Sequence, residues 1–95
     1  MNKQELKKVF EKINWDSPHS VDDIYSVYSG EQKNIGVLDK TWIYYKVLNN
    51  SRWYDVLKIF PKNELKEVLS EEVIQRLFPR QLRDKYRHVR NAIFG

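Results

Sequence analysis

Four arginines in the last part of the chain have the type and spacing needed to bind a charged ligand. In a helical projection with Leu82 at 0°, Arg83, Arg87 and Arg90 lie at about 100°, 140° and 80°, and Arg80 lies at about 160°. They therefore share one side of a helix predicted over residues 79–93, and we call them the basic strip. The guanidinium group is a planar fork of donors that suits carboxylates and phosphates. The sequence therefore predicts a partner-binding surface at these four residues.

The basic strip has three interpretations. It is a solvated helix face whose cations favour the helix C-terminus and pair with acids such as those at positions 64, 67, 71 or 72. It binds an acidic protein partner, or it binds the phosphates of a nucleic acid. Between the two partners, the sequence favours the acidic protein. All three interpretations stay open at the level of sequence.

The distribution of charge concentrates the basic character in the same segment. The net charge is +4. Residues 1–75 hold eleven basic and twelve acidic residues, whereas residues 76–95 hold six basic residues and one acidic residue. Arg52 is the one arginine before Arg76, because lysine supplies the other basic residues there.

The sequence contains no constellation that indicates catalysis or a cofactor. His19 and His88 are far apart and have no neighbour at metal-ligand spacing. The three glycines are isolated, so no phosphate-binding loop is predicted, and there is no cysteine. The acidic pairs at 22–23 and 71–72 point in different directions on a helix. We therefore predict a non-catalytic protein with no metal, no cofactor and no small-molecule substrate.

Length and composition predict one folded domain over residues 1–95. The chain has 95 residues, of which 41% are hydrophobic and 14% aromatic, and this argues for a core and against disorder. It shows no apolar segment at the N-terminus and no run as long as a membrane span. We expect a cytoplasmic protein without membrane contact. Its oligomeric state is left open.

The segment 39–50 should be the element around which the rest packs. Its apolar residues cover nearly the whole circumference of a helix, and only two lysines interrupt them. A helix that is apolar all round requires neighbours on several sides. The sequence therefore predicts an all-α, compact single-domain bundle of five to seven short helices around this central helix.

Caps and apolar spacing predict the other elements. Helices are expected over residues 2–13, 20–29 and 51–60, with a loop over 31–38. For the second of these, a strand is the competing interpretation because residues 24–28 are rich in β formers, but a cap at Ser20 favours the helix. Gly30 should end that helix and Pro61 the one after the central helix.

The segment 63–78 is predicted to be broken. Asn63 should cap a short turn, and Ser70 should cap a new helix that reaches Leu77 or Phe78, although one continuous helix is an alternative. Pro79 should occupy the first turn of the last helix. The apolar stripe of that helix is formed by Leu82, Tyr86, Val89 and Ile93.

Most aromatic residues fall on apolar helix faces, so we predict that they form the core instead of stacking on bases. Trp15 should fold back over the core. The apolar face of residues 51–60 should include Trp53, Val56 and Leu57. Tyr44 and Tyr54 should be partly exposed.

Four segments carry a resemblance to a known group of proteins. They are Trp15-Asp16, Trp42-Ile43-Tyr44-Tyr45-Lys46-Val47-Leu48, the segment 53–60, and Leu65-Lys66-Glu67-Val68-Leu69. Their order resembles short bacterial all-helical proteins of unknown function that are encoded beside abortive-infection-type nucleotidyltransferase toxins. The basic last helix and the loop over 31–38 depart from that pattern. The resemblance implies an antitoxin-like protein that binds a toxin.

Overall fold

The computed structural model describes residues 1–95 and contains seven α-helices, one 3-10 turn and no strand. The prediction of an all-α fold with five to seven helices is confirmed, and the segment after Ser20 is a helix. The helices are α1 (Lys3–Ile13), α2 (Val21–Tyr28), α3 (Lys40–Asn50), α4 (Trp53–Ile59), α5 (Leu65–Val68), α6 (Glu71–Ile74) and α7 (Arg80–Phe94), and the 3-10 turn spans Lys62–Glu64.

The three longer helices before residue 51 begin at side-chain caps that the sequence encodes. Asn2 and Glu5 form a reciprocal capping box at the start of α1. The Ser20 hydroxyl accepts the backbone N–H of Asp23 at 3.0 Å, and Asp39 Oδ1 accepts that of Trp42 at 2.9 Å. Because each oxygen satisfies an amide that has no partner within the helix, these caps fix where the helices begin.

After residue 50 the predictions were wrong for Asn63 and Pro79, whereas Ser70 takes the predicted N-cap position. The Asn63 side chain caps nothing, and the Ser70 side chain makes no capping bond although Ser70 does stand before α6. Pro79 precedes α7 in an extended conformation instead of lying in its first turn. The break between α5 and α6 at Ser70 is confirmed, but α6 ends at Ile74 instead of reaching Leu77 or Phe78.

The α3 helix lies at the centre of the fold, as predicted. It contacts α1, α2, α4, α5 and α6, and five of its eleven residues are buried. The 21 buried residues of the chain form one cluster, all of them hydrophobic, and both faces of α3 contribute to it. The hydrophobic effect of this shared core holds together helices that are individually too short to be stable.

Three side chains differ from the predicted burial. Trp15 is 74% exposed, because it lies beyond the end of α1 and so outside the apolar stripe of that helix; the neighbouring Asp16 carboxylate binds Lys46 at 2.7 Å. Tyr44 is buried, because its hydroxyl donates to Glu64 Oε2 at 2.9 Å and needs no water. Leu57 is exposed, because it lies about 100° around the helix from Val56, at the edge of the α4 face that meets the core.

Candidate protein-binding surface on the last helix

The α7 helix is held to the body through one side of its apolar stripe. Tyr86 is fully buried, and the Trp53 ring packs edge-on against it with 6.1 Å between the ring centroids. Leu82 and Val89 are half-buried against the core. Ile93 is 45% exposed, so its predicted place in the core was wrong. The last turn of α7 extends past the body, and no element covers it.

Glu71 of α6 binds two arginines of the basic strip. Its Oε1 accepts from Arg87 Nε at 3.1 Å and from Arg87 Nη2 at 2.5 Å, and its Oε2 accepts from Arg90 Nη1 at 2.9 Å. These bonds from Arg87 and Arg90 lower the pKa of the Glu71 carboxyl, and the same carboxylate raises the pKa of Arg87. The Arg87 Nη1 also lies 3.7 Å from Asp84 Oδ1. This half of the strip therefore has its charge balanced within the chain.

The charge of the other half of the basic strip, Arg80 and Arg83, is not balanced within the chain. Arg80 is exposed and Arg83 is half-buried, and neither has a carboxylate within 4 Å. The Arg83 Nε is enclosed without a hydrogen-bond acceptor. The four predicted residues thus fall into two groups. Arg87 and Arg90 bind a carboxylate of the chain, whereas Arg80 and Arg83 have no carboxylate partner.

Two neighbouring residues that the sequence analysis did not include extend the unpaired end. Arg76 is exposed without a carboxylate partner, and its guanidinium lies 5.7 Å from the centroid of the Tyr45 ring. Phe78 is 80% exposed. The sequence contains a signal for this extension, because no acid occurs between positions 73 and 83, but both residues precede the helix whose periodicity defines the basic strip.

The two histidines lie in different environments, on the core and on the surface. The His19 ring packs edge-on against Trp42 with 5.0 Å between centroids, and His88 is exposed on α7. No group of three or more His, Asp or Glu side chains is placed to hold a metal ion. Two shallow depressions of about 340 and 290 Å³ are lined mainly by polar side chains, whereas small-molecule pockets are mainly apolar.

None of the helices combines the length and the apolar character that a membrane crossing requires.

Compared with protein-family models, with curated proteins and with solved structures, the chain has no match.

Proposed function

We propose that the chain is a non-catalytic binding protein and that the unpaired end of its basic strip docks an acidic protein partner. The observation that carries this proposal is the division of the strip by Glu71. Arg87 and Arg90 are already bound to a carboxylate, whereas Arg80 and Arg83 have none within 4 Å. Two unpaired guanidinium groups one helical turn apart can donate hydrogen bonds to the carboxylates of a partner without breaking an internal ion pair.

A more specific form of the proposal is that the partner is a bacterial nucleotidyltransferase toxin and that the chain acts as its antitoxin. The support is the resemblance carried by the four segments between Trp15 and Leu69, together with a basic surface suited to an acidic protein. Such a role would be exerted in the cytoplasm. The neighbouring gene would then encode the partner.

Co-expression of the chain with the product of the neighbouring gene, followed by purification and an affinity measurement, tests the proposal. The double variant Arg80→Gln with Arg83→Gln should weaken the complex by at least about tenfold, since a hydrogen bond to a charged group contributes about 1.5–3 kcal/mol. The matched control is Lys8→Gln with Lys66→Gln, which removes two charges from exposed, unpaired lysines of α1 and α5. The control should bind like the parent.

Absence of any complex, or equal losses in the two double variants, would contradict the proposal. Binding to nucleic acid is the outcome that would replace it. A titration with duplex DNA should then give an affinity that falls with salt, by a log–log slope of about −0.9 for each phosphate neutralised. With only two or three unpaired arginines on this surface, we expect little or no such binding.

A further inference from the structure

Phe78 is the most exposed aromatic side chain of the protein, and its backbone is nevertheless held firmly. Its ring is 80% exposed, whereas Leu77 before it is 2% exposed and lies in the core. Its backbone N–H donates to the Asn49 Oδ1 of α3 at 3.1 Å. The central helix therefore holds the peptide in place and leaves the ring in solvent. A ring presented in this way loses little conformational freedom on binding.

The charges around Phe78 distinguish it from an ordinary exposed apolar residue. Arg76 and Arg80 are each two positions away along the chain, which keeps their Cα atoms within about 7 Å of that of Phe78, and both are exposed and lack a carboxylate partner. Aromatic and arginine side chains are the residues enriched in the energetic centres of protein interfaces. The surface therefore offers an apolar anchor between two unpaired cations.

The other exposed aromatic residues lack this setting. Tyr54 is 68% exposed, but the Lys58 Nζ lies over its ring at 4.3 Å from the centroid. Trp15 is 74% exposed, and its neighbour in the chain is the acid Asp16. Among the exposed aromatic residues, only Phe78 lies between unpaired arginines.

We propose that Phe78 is the apolar anchor of the docking surface and that its partner is an acidic protein segment with an apolar side chain between carboxylates. The apolar side chain packs on the Phe78 ring, while the carboxylates bind Arg76 and Arg80. This inference rests on the proposed function, because it names the kind of segment that the basic surface recognises. The single exposed ring favours a protein segment over nucleic acid, because it offers no platform for successive bases.

A library of random peptides, selected against the wild-type chain, tests the inference without knowledge of the partner. The enriched peptides should combine Asp or Glu with a Leu, Phe or Trp. Fluorescence anisotropy of one labelled peptide should then show that Phe78→Ala weakens binding about ten- to hundredfold, as expected for uncovering a buried aromatic contact. Tyr54→Ala is the matched control and should leave the affinity unchanged. Both rings are exposed, so both variants should unfold at the parent's temperature.

The outcomes separate this inference from the function on which it rests. Enriched acidic peptides that bind Phe78→Ala as tightly as the parent, but lose affinity for Arg80→Gln with Arg83→Gln, would overturn the anchor and leave the proposed function standing. Enrichment of no acidic peptide would overturn both. A single-stranded oligonucleotide that binds more tightly than the peptides, and depends on Phe78, would overturn the assignment to a protein partner.

Discussion

Tyr86 and Tyr44 are both buried, but only one of their hydroxyl groups has a hydrogen-bond partner in the protein. Tyr86 is fully buried and its hydroxyl is enclosed without a partner. Tyr44 is 4% exposed, and its hydroxyl donates to Glu64 Oε2 at 2.9 Å. Burial raises the pKa of both phenols. Replacement of either tyrosine by phenylalanine removes the hydroxyl and keeps the ring, so the pair isolates the energetic effect of the hydrogen bond.

The two substitutions should change the free energy of unfolding in opposite directions. A buried hydroxyl without a partner costs about 1–3 kcal/mol, so Tyr86→Phe should stabilise the protein by about 1 kcal/mol. A hydrogen bond to a charged group contributes about 1.5–3 kcal/mol. The Glu64 side chain is 25% exposed and can regain water. Because Glu64 regains this water, Tyr44→Phe should destabilise the protein by about 1 kcal/mol, somewhat less than that range.

Thermal and urea unfolding followed by circular dichroism measure this difference. A change of 1 kcal/mol shifts the Tm of a domain of this size by about 4–8 °C, so the two variants should differ in Tm by about 8–16 °C. The slope of the unfolding free energy against urea concentration should be the same for both variants, because both expose the same surface on unfolding. If Tyr86→Phe destabilises the protein as much as Tyr44→Phe does, the Tyr86 hydroxyl has a partner in solution and the reasoning about α7 is refuted.

Two further predictions test the core and the Glu71 ion pairs. Trp42→Ala should lower the free energy of unfolding by about 3–5 kcal/mol, because Trp42 is 92% buried, whereas Trp15→Ala should change it by less than about 0.5 kcal/mol. Equal losses of unfolding free energy in urea would contradict the central position of α3. Because bonds from Arg87 and Arg90 lower the pKa of Glu71, its contribution to stability is present above the unfolded pKa, near 4.5, and is lost as the pH falls through the folded value. The urea midpoint of Glu71→Gln should therefore lie below that of the parent at neutral pH and converge with it in acid. The control is Glu72→Gln, which changes an exposed, unpaired residue and should have the parent's midpoint at every pH.

Local signals in the sequence were sufficient to predict the helices up to residue 50. Ser20 caps α2 as predicted, and Asn2 and Asp39 cap α1 and α3, because a capping bond spans only three residues and needs no tertiary contact. Between Asn50 and the start of α7 the helices shorten to one or two turns. Asn63 caps no helix, and Ser70 takes the predicted N-cap position of α6 without a side-chain bond. Segments this short take their form from packing, and propensity alone does not stabilise them.

Burial at the margins of helix faces depended on contacts between distant segments. The loop that contains the exposed Trp15 is joined to α3 by an ion pair that spans thirty positions, Asp16 with Lys46. The burial of Tyr44 follows from a bond to Glu64, twenty positions away. Periodicity assigns a side chain to a face, but it contains no information about which polar group from another element will satisfy a hydroxyl there.

The sequence by itself determined that the protein is all-α, that the segment 39–50 is its centre, and that arginines line one side of the last helix. These properties follow from periods of three to four residues, which helical geometry imposes on any chain. Only the tertiary structure decided which arginines are free. Four acidic residues were equally plausible partners in the sequence, and the packing of α6 against α7 selected Glu71 and directed it to Arg87 and Arg90. Arg80 and Arg83 remained without a partner because an ion pair requires two groups within 4 Å, and that distance is set by the fold.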